Sequence, residues 1–128
     1  MKRNTTVPRT LVREEVRFSG SFAPNGASAV ANSSNKGLGW TVARTSAGLF
    51  TITFTDAFAS LQSARACTQL AVAANMTAQI GVVSLSAKTV QIRTLVGAVE
   101  TDIAAAAGNR INFEIVFRNS AAKPEYGA

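Results

Sequence analysis

The chain has 128 residues, enough for one domain with a substantial core, and 47% of them are hydrophobic, although alanine supplies much of that fraction. Its 13 Lys and Arg, predominantly arginine, stand against 7 acids and no histidine, giving a net charge of +6. Without histidine, and with one cysteine and scattered acids, little is left for general acid–base catalysis or a metal centre, while the positive charge favours an anionic partner.

Residues 1–15 form the first compositional unit, with Lys2, Arg3, Arg9 and Arg13 and few large apolar groups. Pro8 blocks a helix and biases Val7 toward extended geometry, so an extended basic arm is expected. The start lacks the apolar block of a signal peptide. Glu14 and Glu15 mark the junction with the folded body; as neighbours on a strand they face opposite sides and make no catalytic pair.

From Val16 the pattern has period two. Val16, Phe18, Gly20 and Phe22 share one face, and Arg17, Ser19 and Ser21 the other, which predicts a half-buried strand. A loop over residues 23–36 follows, carrying Pro24-Asn25-Gly26 and Asn32-Ser33-Ser34-Asn35, and its length suits an exposed contact element. Leu38, Trp40 and Val42 predict a second strand. The connector Thr45-Ser46-Ala47-Gly48 then predicts a hairpin into Leu49–Thr55, with Phe50, Ile52 and Phe54 inward and Thr51, Thr53 and Thr55 outward.

Asp56–Ser63 reads as a turn or a short helical turn pinned by Phe58 and Leu61. Weaker alternation predicts strands over 67–73 and 77–85, and Cys67 is expected to be a small buried hydrophobe. Residues 87–96 alternate better, with Val90 and Ile92 opposite Gln91 and Arg93. A short segment over 99–103 precedes a small-residue turn, and the last strand places Ile111, Phe113, Ile115 and Phe117 inward and Asn112, Glu114 and Arg118 outward. The expected fold is therefore all-β: a single antiparallel β-sandwich or barrel of about eight strands, jelly-roll-like, over residues 16–118, with a flexible tail over 119–128.

Few constellations suggest chemistry. Glu100 and Asp102, two apart on a predicted strand, share a face but supply too few oxygens for calcium, so a solvated face is expected. Gly37-Leu38-Gly39 lacks the third glycine and the Lys-Ser/Thr of a phosphate-binding loop and reads as a tight strand entry. No serine or threonine has a base placed by spacing, so no catalytic residue, metal or cofactor is assigned and the chain reads as a non-enzyme. One cysteine cannot form an internal disulfide and suits a reducing cytoplasm, and no run of 18 apolar residues provides a membrane helix.

Single-stranded nucleic acid fits the charge, yet Phe18, Phe22, Phe50, Phe54, Phe113 and Phe117 all fall on inward faces. Tyr126, Trp40 and Phe58 alone remain for stacking, which argues against that partner. The arm residues Lys2, Arg3, Arg9 and Arg13, together with Arg17 and Arg118 on the outward faces of the first and last strands, are the candidate partner-binding residues.

The segments Val16-Arg17-Phe18-Ser19-Gly20-Ser21-Phe22, the Pro-Asn-Gly loop, Gly37-Leu38-Gly39-Trp40-Thr41-Val42-Ala43-Arg44, Gly48–Phe54 and the closing Phe117-Arg118-Asn119-Ser120 resemble small virion proteins of tailed bacteriophages. Within that group the chain is most similar to capsid decoration (cement) proteins, which bridge neighbouring capsomers of an assembled shell. The resemblance covers about a third of the chain and carries no functional residue over. It implies a structural protein made in the bacterial host's cytoplasm and located on the virion surface. Its partners would be the major capsid protein or other virion proteins, and it would act as a homo-oligomer, dimer or trimer. A tail fibre, spike or collar component is the alternative within the virion.

Overall fold

The computed structural model describes residues 15–119. The predicted arm with Lys2, Arg3, Arg9 and Arg13 lies outside the described residues, as does the predicted tail beyond Asn119. The strands are β1 (Glu15–Phe22), β2 (Trp40–Ser46), β3 (Leu49–Phe54), β4 (Ser60–Gln69), β5 (Thr77–Ser84), β6 (Thr89–Val96), β7 (Val99–Glu100) and β8 (Arg110–Arg118), with one 3-10 turn at Asn32–Ser34. They pair into a three-stranded antiparallel sheet, β1-β8-β4, and a five-stranded one, β2-β3-β6-β5, with β7 attached to β6. Of the expected sandwich or barrel of about eight strands, a sandwich is what forms, with three strands in one sheet and five in the other.

Alternation decides which residues meet in the middle. The inward rings of β1 and β8 close on those of β2 and β3: Phe18 on Phe54 at 4.7 Å, Phe22 on Phe50 at 5.2 Å, Trp40 on Phe113 at 4.8 Å and Phe54 on Phe117 at 5.0 Å between centroids. Phe22, Phe50 and Ile52 are fully buried, with Val90, Ile92, Ile111 and Ile115 beside them. Aromatic rings each remove a large apolar area from water, so this phenylalanine layer is the main source of stability. Trp40 and Phe58, which composition alone left available for stacking on bases, belong to it: Trp40 is 6% exposed, and Phe58 stacks on Phe117 at 4.6 Å.

Gly20 makes one of these approaches possible. A Cβ there would sit 2.6 Å from Trp40 Cζ2 and 2.8 Å from the Lys36 carbonyl oxygen, so the loop and the indole both use the space a side chain would need.

Three local expectations are corrected. Residues 60–63 are strand, and β4 runs from Ser60 to Gln69 instead of starting at Cys67. Cys67 is exposed, because β4 carries a bulge: Leu61 sits opposite inward Phe117, Ser63 opposite outward Val116, and Gln62 is the extra residue between them. A bulge reverses the facing of everything after it, so Ala64 and Ala66 turn inward and Arg65 and Cys67 outward. Leu38 is 90% exposed instead of inward, since β2 starts only at Trp40. The glycines on either side of it, Gly37 at φ +126° and Gly39 at φ +88°, turn the chain outward before the strand begins.

Candidate interaction surface

The outer face of the three-stranded sheet is polar and cross-tied. β8 lies in the middle and presents Glu114, flanked by Ser19 of β1 and Arg65 of β4. Arg17 Nη1 donates to Glu114 Oε2 at 2.7 Å and Arg65 Nη2 to Glu114 Oε1 at 2.5 Å, so one carboxylate joins the two outer strands across the central one. The hydrogen bond from Arg17, followed by that from Arg65, holds the Glu114 carboxyl below its ordinary range. A second tie spans β8 where Gln62 Nε2 donates to Glu15 Oε2 at 2.6 Å.

Of the candidate partner-binding residues, Arg17 and Arg118 fall on this one face, in adjacent rows: Arg17 opposite Val116, and Arg118 opposite Glu15. The structure adds Arg65, which sequence reasoning missed because it read residues 56–63 as a turn and began the next strand only at Cys67, whereas β4 runs from Ser60 with a bulge at Gln62. The side chain of Arg17 is 57% exposed and that of Arg65 79% exposed even while each is bonded to Glu114. Arg110 shares the face but serves the fold. Its Nε donates to Ser21 Oγ at 2.9 Å and its Nη2 to the Ser34 carbonyl at 2.9 Å, pinning the 23–39 loop against β1 and β8.

The outer face of the five-stranded sheet is different. Thr41 and Thr53 oppose each other, Thr89 continues that row, and Thr51 lies beside Gln91. Thr45 and Thr51 share a hydroxyl hydrogen bond of 2.6 Å, and Arg93 pairs with Glu100 at 3.4 Å. Hydroxyls and the half-exposed Arg93–Glu100 pair make up much of this face, whereas Arg17, Arg65 and Arg118 lie on the opposite one.

The loop of residues 23–39 closes one side of the sandwich. Asn32 bonds the main chain of Val42 on β2 in both directions, and Lys36 exchanges hydrogen bonds of 2.9 and 2.8 Å with Ser21 on β1. Both contacts occupy sheet edges, where an unpaired strand invites another chain. At one end of the sandwich Asp102 accepts Arg44 Nε at 3.0 Å, Arg44 Nη2 at 2.8 Å and the Gly48 amide at 2.9 Å. Those hydrogen bonds, Arg44's foremost, lower the Asp102 carboxyl, and the same pairing raises Arg44. Glu100 and Asp102 therefore do not share a solvated face as expected. Strand β7 ends at Glu100, and each acid takes its own arginine.

Among the described residues no three of His, Cys, Asp and Glu converge, and no helix is long and apolar enough to cross a membrane. Comparison with known protein families, curated proteins and solved structures finds no match to this chain.

Proposed function

We propose that this chain is a structural virion protein of a bacteriophage, a decoration (cement) protein that binds the assembled capsid and stabilises it. The observation that carries the reading is the outer face of the three-stranded sheet. It sets Arg17, Arg65 and Arg118 on one sheet face, and Glu114 holds two of those arginines in place while each of the two side chains stays more than half exposed. Arginine forks fixed in this way suit carboxylates on a protein partner, for which the chemistry is bidentate and geometric. The major capsid protein, or another virion protein, is that partner. Several copies acting together add their contacts through effective concentration, so each contact alone can be weak.

A single-stranded nucleic-acid reading is weaker, because the phenylalanines that would stack on bases fill the core. Binding to shells tests the proposal. Full-length protein mixed with purified capsids lacking it should co-sediment and saturate at a fixed ratio, and deletion of residues 1–13 should leave a folded domain that binds less. Failure of the full chain to bind any shell would overturn the reading, and unchanged binding after the deletion would remove the arm from it. A gold label attached at exposed Cys67 separates shell from tail: label confined to tails would move the protein to a fibre, spike or collar.

A further inference from the structure

The two long sides of the sandwich are finished differently. Along β1 and β2 the 23–39 loop bonds Ser21 and Val42 and adds Val30, 7% exposed, to the core. Along β4 and β5, among the described residues, no main-chain hydrogen bond covers either outer edge. Leu61, Ala64 and Ala66 of β4 and Ala78, Ile80 and Val83 of β5 pack against the core from that side, yet they stay only partly buried. The direction of the main chain in β4 follows from the other edge of its sheet. Ser21 exchanges both of its main-chain bonds with Lys36, so its groups turn away from β8. Alternation along the row Ser21–Asn112–Cys67 then turns Cys67 toward β8 and the N–H and C=O groups of Ala64, Ala66 and Thr68 outward. Past its bulge β4 has no Lys and no Pro, so this stretch of edge lacks the usual protection against an added strand.

We propose that residues 1–14 of the same chain are the occupant of this edge, adding to β4 as an antiparallel fourth strand of the small sheet. Position supports it. The segment joins the described chain at Glu15, which shares a row with Arg118 and Ser60, so its end stands two strand spacings, about 10 Å, from the start of β4. That crossing takes about three residues and leaves about eleven for the ten of β4. Direction agrees, because a segment that ends beside Ser60 runs antiparallel to β4 when laid along it. Composition agrees as well. Val7, Leu11 and Val12 are apolar enough to cover the thin core behind Ala64 and Ala66, while Lys2, Arg3, Pro8 and Arg9 are residues that protect an outermost strand. The segment beyond Asn119 starts at the same end, but along β4 it would run parallel, and Ala121, Ala122, Pro124 and Gly127 suit a strand poorly. The inference concerns the fold of one chain and does not depend on where the protein works.

The test is residue-resolved amide hydrogen exchange by NMR on the full-length protein and on the chain without residues 1–13. The amides of Ala64, Ala66 and Thr68 should be protected in the full chain and exchange at least about ten-fold faster after the deletion, while the amides of central β8 stay protected. Proline substitution in the segment separates a paired strand from a loose one. Pro8 has no N–H and so takes a solvent-facing position, and alternation then turns the N–H of Thr5 to β4 and that of Thr6 to solvent. Thr5→Pro should move the three amides toward the exchange of the deleted chain, and Thr6→Pro should leave them as in wild type. Equal exchange with and without residues 1–13, or two proline variants that behave alike, would overturn the proposal. So would protection that is lost on removal of residues 121–128 instead, or that appears only as copies associate with rising concentration.

Discussion

Asn32 turns its side-chain amide onto the main chain of Val42, accepting from Val42 N at 2.9 Å and donating to Val42 O at 3.1 Å. Val42 lies on β2, the edge strand of the five-stranded sheet, so the amide takes the place a neighbouring strand would hold. The amide thereby covers an open edge of the sandwich and hinders uncontrolled strand pairing there.

Replacement of Asn32 by Ala should therefore do two things. It leaves the Val42 main-chain groups without their partner, at a cost of about 1–3 kcal/mol in thermal or urea unfolding, and it opens the edge to pairing with other chains. Asn32→Asp keeps the acceptor and loses the donor, and should fall between the two. A variant with unchanged stability and no added aggregation on heating would show that the edge is protected by other means.

Glu114 predicts a pH dependence. Its carboxyl is lowered in the folded state by Arg17 and then Arg65, so the stabilisation is present above the ordinary carboxylate value and is lost as pH falls through the folded one. Asp102, lowered chiefly by Arg44, acts in the same direction. The melting temperature of the wild type should drop as pH falls from neutral to about 3, and Glu114→Gln should melt lower at neutral pH yet converge with wild type in acid. Parallel curves at all pH values would show that the Arg17–Glu114–Arg65 tie contributes nothing.

Gly20→Ala should be damaging, because Gly20 packs against the buried rings of Trp40 and Phe113. The added carbon meets Trp40 Cζ2 and the Lys36 carbonyl, forcing the indole or the loop outward at about 1–3 kcal/mol. Trp40 is the single tryptophan, so its fluorescence reports the outcome directly: a red shift in the folded variant is expected, and an unshifted spectrum with wild-type stability would contradict the packing described.

Cys67 faces solvent beside Arg65, and a thiol reagent should modify it in the folded protein at a rate approaching that of the unfolded chain. Modification that requires denaturant would return Cys67 to the interior and with it reverse the assigned facing of Arg65.

That residue also marks where the sequence stops being readable. Strands with strong contrast, such as Phe50-Thr51-Ile52-Thr53-Phe54 and Ile111–Phe117, announce their faces through alternation, and the structure agrees at each inward position. In β4 the inward positions are Leu61, Ala64 and Ala66, so the contrast is low, and the bulge at Gln62 reverses the phase in mid-strand. Counting by twos from Leu61 puts Cys67 inside and hides Arg65 from the charged face. Leu38 misleads for another reason: its apolar side chain continues the alternation of Trp40 and Val42, and only the positive φ angles of the flanking glycines take it out of the strand. Pairing of β1 with β8, which brings Arg17 to Glu114, joins residues 97 positions apart, and no local pattern encodes it.

The most direct test of a capsid role is the copy number of this chain in purified virions, measured by quantitative mass spectrometry against the major shell protein. A constant stoichiometric ratio to the shell protein, retained after tails are removed, is the predicted result. Absence from the particle, or a few copies that leave with the tails, would contradict it.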